Sequence, residues 1–374
     1  MIVKNTGYAE MAGRVRSEKR RIILYGAGMI GQIVMPYILK KYGLLEAVDC
    51  YVDRDPRKQG QKIAVDSREY TVMSPDILYD REGSVTLLIT NSHFDLALDF
   101  LEGIAALSRA EAYIIPMMQL YELRPDKIPL LPAAKEPMIP KKLHYCWFSK
   151  QPMPDFLREC VRTWERLCPD YEILCWNEAN YEIERIPYAK EAFARGRYGF
   201  VSDAARLDIL YQHGGIYMDT DVTLFKRPDV LLHQPAFVGV EKWGNINTGG
   251  MAGAVQGHPM IGEMLAYRSR FHFILEDGSE NTETNGLYET YPFLRHGMRI
   301  DNTLQTVNGV TVYPSSVFHP YDYMSGESRI EDWTISEHHF YGSWLGAGAF
   351  EERKRTQEKY REIVREADLR VHKF

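Results

Sequence analysis

Between positions 202 and 223 the chain reads Ser-Asp-Ala-Ala-Arg-Leu-Asp-Ile-Leu-Tyr-Gln-His-Gly-Gly-Ile-Tyr-Met-Asp-Thr-Asp-Val-Thr. Asp219 and Asp221 stand two residues apart at the end of a short apolar run. Side chains at i and i+2 of a strand share a face, so the spacing predicts two carboxylates converging at a strand end. Paired hard oxygen ligands suit Mg²⁺ or Mn²⁺, and such a cation suits a diphosphate. Upstream, Asp203 and Arg206 stand at i, i+3 on one face of a helix expected to end at Gly214-Gly215. A carboxylate that accepts from hydroxyls, beside a guanidinium that reaches hydroxyl and phosphate, fits the sugar end of a sugar nucleotide. Ser202 is expected to cap that helix or to touch the donor. Tyr217 shares the strand face of the carboxylates and is expected to pack on the sugar or to offer its hydroxyl to phosphate.

The elements that must position these residues read as two domains, in keeping with 374 residues. The first spans 1–123. Its apolar runs Ile22–Tyr25, Ala47–Val52, Val85–Thr90 and Ala112–Ile115 are expected strands, with helices over Ile33–Tyr42 and Phe94–Leu107. That alternation predicts an α/β fold with a small parallel sheet. Residues 124–140 hold Pro125, Pro129, Pro132, Pro137 and Pro140. Proline fixes φ and removes amide donors, so this segment reads as a semi-rigid linker. The second domain, 141–374, carries the chemistry above and closes in a tail, Phe350–Phe374, dense in Glu, Lys and Arg, expected as a charged helix.

Ser202-Asp203-x-x-Arg206 followed by Gly214-Gly215-x-Tyr217-x-Asp219-x-Asp221 resembles the sugar-binding region of glycosyltransferase family 32. That family includes initiating mannosyltransferases and many bacterial capsule transferases. Ile139-Pro140-Lys141-Lys142-Leu143-His144-Tyr145-Cys146-Trp147 is similar to the first strand of the same family. The resemblance implies a GT-A fold, an α/β sandwich with a nucleotide-binding sheet. It implies that Trp147 stacks on the base of a nucleotide sugar, and that a divalent metal is held by Asp219 and Asp221. His338-His339-Phe340-Tyr341-Gly342-Ser343-Trp344 is similar to the late element of metal-dependent GT-A enzymes. His339 is the third ligand it implies, with His338 the competing choice and Ser343 a further one; Ser343 and Trp344 would border the donor. Asn247, in a Gly-rich stretch, would lie below the donor sugar or form a packing turn. The implied reaction is retaining hexosyl transfer from a nucleotide sugar, UDP-linked, to a glycan or lipid-linked oligosaccharide of capsule or lipopolysaccharide. His144 reads as a structural histidine.

Gly26-x-Gly28-x-x-Gly31 follows a strand, opens a helix and precedes Asp53 at the end of the next strand. This is the setting of a dinucleotide-binding fingerprint, with Gly26, Gly28, Gly31 and Asp53 as the contact residues. It resembles the small Rossmann-like domains fused to bacterial polysaccharide enzymes. The alternative it opens is NAD-dependent or nucleotide-sugar-modifying oxidoreduction. With about four strands and no second mononucleotide half expected, nucleotide binding without chemistry, or a structural module, is the favoured reading. A formal net charge of −6 argues against nucleic acid as partner. The five cysteines form no Cys-x-x-Cys pair and read as reduced thiols. Residues 1–21 lack an apolar leader core, and no run reaches the ~20 apolar residues of a membrane span. A cytoplasmic protein, peripheral to a membrane at most, is the expectation.

Overall fold

The computed structural model describes residues 1–4, 6–81, 84–122, 128, 136–342 and 348–366. It divides into two compact units: Met1–Arg124 with the segment from Gly348 onward, and Pro125–Ala347. Of the expected proline linker, 124–140, residue 128 and residues 136–140 are described and the rest lie outside the described residues.

In the first unit the strands are β1 (Ile2–Lys4), β2 (Arg21–Tyr25), β3 (Val48–Val52), β4 (Lys62–Val65), β5 (Arg68–Met73), β6 (Val85–Ile89) and β7 (Glu111–Ile114). They form one sheet in the order β1-β7-β6-β2-β3-β5-β4. Every neighbouring pair is parallel except the hairpin β4/β5. The central strands are unbroken apolar runs because both faces are covered: Ile22, Ile23, Leu24, Leu87, Leu88 and Ile89 are all fully buried. The sheet thus has seven strands where about four were expected. The extra strands are short or alternate polar with apolar, so their apolar content is too low to read as buried runs. The helices are α1 (Tyr8–Ser17), α2 (Met35–Lys41), α3 (Phe94–Glu102) and α4 (Ile115–Glu122). α2 is preceded by a π turn over Ile30–Val34.

In the second unit, β8 (Lys142–Cys146), β9 (Glu172–Trp176), β10 (Gly215–Tyr217), β12 (Ala236–Val240), β13 (Ile246–Ala254), β14 (Gln305–Val307) and β15 (Val310–Tyr313) make a mixed sheet, ordered β14-β15-β12-β13-β10-β8-β9. Two small antiparallel ladders stand beside it: β11 (Val222–Leu224) with β18 (Ser336–His338), and β16 (Tyr321–Asp322) with β17 (Glu327–Ser328). The helices are α5 (Asp155–Leu167), α6 (Pro187–Ala194), α7 (Tyr198–His213), α8 (Pro259–Arg268), α9 (Asn285–Arg295) and the short α10 (Ser315–Phe318). α5 buries Leu157, Cys160, Val161 and Trp164, the i, i+3, i+4, i+7 stripe of an amphipathic helix. It grips β11 by hydrogen bonds as well as by packing. The fully buried Trp164 donates its indole N–H to Val222 O at 2.8 Å, and Thr163 Oγ1 accepts from Leu224 N at 3.0 Å. Truncating a buried aromatic of this kind costs about 3–5 kcal/mol. Among the described residues no helix is long and apolar enough to cross a membrane.

The charged C-terminal helix, Ala349–Glu366, belongs to the first unit and not to the second as expected. The cause is a buried acid. Asp95 on α3 is 2 % exposed, and its carboxylate accepts from Arg355 Nε at 2.7 Å and from Thr356 Oγ1 at 2.9 Å. Hydrogen bonds to a charged group contribute about 1.5–3 kcal/mol each, so Asp95→Ala is expected to loosen this helix. Hydrogen exchange should rise over 349–366 and stay unchanged over 198–224. Unchanged protection of 349–366 would show that apolar contacts alone hold it.

Candidate active site

α7 carries Asp203 and Arg206 one turn apart, as their spacing requires. It lies deep in its unit: Phe200, Val201, Ala204, Ala205, Leu207, Ile209 and Leu210 are buried, and so is Arg206 itself. The helix ends at Gly214 (φ 62°) and Gly215 (φ 99°), backbone conformations that favour glycine. His144 secures that turn through Nε2 and Gly214 O at 2.8 Å, while Trp176 Nε1 donates to His144 Nδ1 at 3.1 Å. Burial pushes its pKa down to about 4, so His144 is a neutral, structural histidine. Ser202 does not cap the helix, which begins at Tyr198; its hydroxyl donates back to Tyr198 O at 3.3 Å.

The strand expected to carry Asp219 and Asp221 stops at Tyr217, and both acids sit in the turn between β10 and β11. Their convergence comes from this turn, closed by Val222 N–H to Asp219 O at 3.2 Å, and not from strand alternation. Asp219 is held from three sides. Its N–H donates to Gly249 O at 2.7 Å, Tyr217 OH donates to Oδ1 at 2.9 Å, and Arg206 Nη2 donates to Oδ2 at 3.1 Å. Tyr217 is fully buried beneath the Arg206 guanidinium, so it orients Asp219 and does not face a ligand. Arg206 also pairs with Asp203 and approaches Glu289 Oε1 at 4.0 Å. Burial opposes the charge of Arg206, but Asp219 and Asp203 outweigh it and raise its pKa. Burial raises the pKa of Asp203, with Arg206 acting against the rise.

Gly249 explains the glycine-rich stretch. It lies in β13, and a Cβ there would stand 2.2 Å from Asp219 Oδ2 and 3.0 Å from Arg206 Nη1. Only a residue without a side chain lets the acid and the guanidinium approach the strand this closely. Asn247 supports the arrangement: Oδ1 accepts from Gly249 N at 2.8 Å and Nδ2 donates to Glu241 Oε1 at 2.8 Å. Its side chain is thereby committed to the strand.

The late element reaches the site through the ladder β11/β18, which sets Val222 opposite His338. His339 N donates to Asp221 O at 3.0 Å, and Tyr341 N donates to Asp221 Oδ2 at 2.7 Å. Alternation along β18 turns His338, not His339, toward the carboxylates. Its Nε2 lies 3.3 Å from Asp221 Oδ1, and ligand atoms of Asp219, Asp221 and His338 all lie within 4.8 Å of one another. His339 instead pairs with Thr223 Oγ1 at 2.7 Å and lies edge-on to Phe156. Among the described residues the group that could hold a metal ion is Asp219, Asp221 and His338, the competing choice, and not His339. Burial opposes ionisation of both partners, yet their mutual attraction wins: Asp221 falls to about 2 and His338 rises. Ser343 and Trp344 lie outside the described residues. Trp147 ends β8 half-exposed, its indole N–H donated to Gln151 O at 3.0 Å.

Glu289 was not anticipated. It sits on α9, 1 % exposed, and accepts from Thr248 N at 2.8 Å, from Thr248 Oγ1 and from Asn285 Nδ2. Burial pushes its pKa up to about 7. The signal was a lone acid inside the apolar run Gly-Leu-Tyr-Glu-Thr-Tyr-Pro-Phe, whose neighbours are nearly all buried.

In the first unit, Gly26 (φ 118°) and Gly31 are required by close packing. A Cβ on Gly26 would meet Thr90 Oγ1 at 2.6 Å, and one on Gly31 would meet Gly26 O at 2.4 Å. At Gly28 an added Cβ would meet nothing nearer than Lys58 Nζ at 4.0 Å. Asp53 braces the glycine loop: its Oδ2 accepts from Ala27 N at 2.7 Å and its Oδ1 from Asp55 N at 2.8 Å. All five cysteines are free thiols.

Residues 154–238 match the family described as glycosyltransferase sugar-binding region containing DXD motif. Inositol phosphoceramide mannosyltransferase 3 of Schizosaccharomyces pombe is 30% identical over 139 residues, 36% of this chain and 38% of that protein. Mannosyl phosphorylinositol ceramide synthase SUR1 of Saccharomyces cerevisiae is 30% identical over 156 residues, 41% of this chain and 38% of that protein. The chain thus spans under two-fifths of the length of these curated relatives. Among solved structures, PaToxG glycosyltransferase aligns over 48% of this chain and 76% of its own, with 17% identity and a TM-score of 0.33. A glycosyltransferase involved in the glycosylation of the major capsid of PBCV-1 aligns over 58% and 98%, with 15% identity and a TM-score of 0.32. The chain carries a glycosyltransferase region, and the motif match and the named relatives support a glycosyltransferase enzyme.

Glu289 yields a signed pH dependence. Its folded pKa lies above the ordinary 4.5, so its contribution to stability is complete below about 4.5 and is lost as pH rises through about 7. The Tm difference, wild type minus Glu289→Gln, should shrink between about pH 5 and about pH 7.5. A difference that stays flat or grows with pH would contradict a protonated, buried Glu289.

Proposed function

We propose that this protein is a metal-dependent, retaining glycosyltransferase of the GT-A type, similar to family 32. It moves a hexose from a nucleotide sugar, UDP-linked, to a surface-glycan or lipid-linked acceptor. The observation that carries this reading is the convergence of Asp219, Asp221 and His338 beside the Asp203–Arg206 pair, all but His338 inside the matched region. Two carboxylates and one imidazole fit Mn²⁺ best and Mg²⁺ next, because the donor set is mostly hard oxygen with one nitrogen. Those three residues would hold the ion, which when bound neutralises the diphosphate that leaves as the glycosidic bond breaks.

The chain's own residues do the rest. Arg206 supplies a fixed cation at the site, and Asp203, its pKa raised, accepts or shares a proton with sugar hydroxyls. Trp147, partly exposed just after β8, would stack its indole on the base, worth about 1–3 kcal/mol per stacked base. Retention by double displacement needs a carboxylate at the anomeric carbon. Asp203 and Asp219 direct their charge at Arg206, which favours front-face attack with the leaving phosphate as proton acceptor. The relatives' names speak of mannosyl transfer to inositol phosphoceramide, which supports a lipid-borne acceptor.

The test is hydrolysis of a panel of nucleotide sugars, UDP-hexoses and GDP-mannose, with Mn²⁺ and with chelator. One donor should be hydrolysed with Mn²⁺, and none in excess chelator; full activity in chelator would falsify the metal assignment. His338→Ala should weaken Mn²⁺ binding about tenfold or more, and His339→Ala much less. Gly249→Ala, which drives a methyl into Asp219, should cut turnover by at least about tenfold while the fold persists. Equal losses for His338→Ala and His339→Ala would return the ligand question to its starting point.

A further inference from the structure

We propose that the first unit holds a second small-molecule site, independent of the transferase centre, for an organic phosphate. From β2 the chain proceeds to β3 on one side, and β6 returns on the other side of β2. At such a reversal of strand order the loops leaving the carboxyl ends diverge and open a crevice. A cavity of about 420 Å³ lies there, lined by Tyr25, Arg54, Asp55, Asn91, Leu96 and Ala97. These residues follow or end β2, β3 and β6, or face them from α3.

The polar groups of this cavity are unequally satisfied. Tyr25 is 3 % exposed, and its hydroxyl is buried without a hydrogen-bond partner. A buried hydroxyl left unpaired is costly, and a ligand acceptor removes that cost. Asp55 does not add net negative charge, because Arg57 pairs with it in a two-pronged bridge. Arg54 makes no ion pair among the described residues; its guanidinium rests over the Phe100 ring at 5.3 Å. Asn91 Oδ1 accepts from His93 N at 2.8 Å, which leaves its amide N–H groups for a ligand. The crevice therefore offers donors and positive charge: a phenol O–H, a guanidinium and an amide. Leu96 and Ala97 supply the apolar wall.

That chemistry suits a phosphate monoester with a compact organic part, either a mononucleotide or a sugar phosphate. A dinucleotide fits poorly. Asp53, which would read its ribose, already accepts from Ala27 N and Asp55 N, and the volume is near the small end of the ~300–1,000 Å³ range of ligand sites.

The full-length protein is titrated in chelator, so that metal-dependent donor binding does not contribute, with UMP, glucose 1-phosphate, inorganic phosphate and NAD⁺ in turn. Hydrogen exchange is read over 21–32, 53–60 and 90–98. We expect UMP or glucose 1-phosphate to protect these segments; which one does so distinguishes the two sources. Arg54→Gln should weaken the effect about tenfold or more. Tyr25→Phe should raise Tm without ligand, because the orphan hydroxyl is gone, yet gain less from ligand than wild type. Donor hydrolysis should be unchanged in both variants. Protection by NAD⁺ at lower concentration than either monoester, by inorganic phosphate only, or by none of the four would overturn the proposal. So would wild-type affinity in Arg54→Gln.

Discussion

The second unit is organised around one guanidinium. Arg206 is buried, and a buried cation is tolerated only when its charge is met and its donors are used. Asp203 and Asp219 meet its charge from α7 and the β10–β11 turn, and Glu289, its pKa raised by burial, stands 4.0 Å from it on α9. The carboxylate of Asp219 is therefore held in place by the protein's own groups, a preorganisation of the kind that favours charge stabilisation. Glu289 is the stabilising counter-group furthest from solvent. Burial raises its pKa, and Arg206 acts against the rise.

Around that cation the packing has no slack. β13 runs past Asp219 and Arg206 at a distance that forbids a Cβ at Gly249, and at Gly250 a Cβ would meet His319 Cε1 at 2.0 Å. His319 is itself fully buried, its pKa driven well down by burial, with its ring 5.4 Å from that of His338. The metal-ligand candidates thus rest on a layer of groups that touch no donor: Tyr217 under Asp219, Tyr341 N–H on Asp221, His319 beside His338.

What sequence reading recovers follows from the range of each interaction. Asp203 with Arg206 and Asp219 with Asp221 are local pairs, so helix and turn spacing bring them together whatever the rest of the chain does. The strands β2, β3, β6 and β7 are mostly apolar and are equally legible. The choice between His338 and His339 is not local. It depends on the register Val222↔His338 across more than a hundred residues, and a shift of one would exchange their faces. Glu289 is legible only as a lone acid in an apolar run: nothing near position 289 announces that Arg206 lies behind it. The misassigned C-terminal helix is a third case, since its charged surface is visible in sequence but its partner, the buried Asp95, is not.

The two glycine-rich stretches show how differently one residue type is used. Gly26 and Gly31 read as a dinucleotide fingerprint, yet their missing side chains are needed to clear Thr90 and the backbone of Gly26 itself. Asp53, the fingerprint's acid, completes that loop by accepting from Ala27 and Asp55. Each residue of the motif that packs inward is thus explained without a ligand, and only Gly28 borders open space. Gly249 belongs to no recognised motif, and its missing side chain is what admits a carboxylate and a guanidinium to the same few ångströms. A glycine's part in function is decided by what its Cβ would strike: a neighbouring loop in the first unit, a charged ligand group in the second.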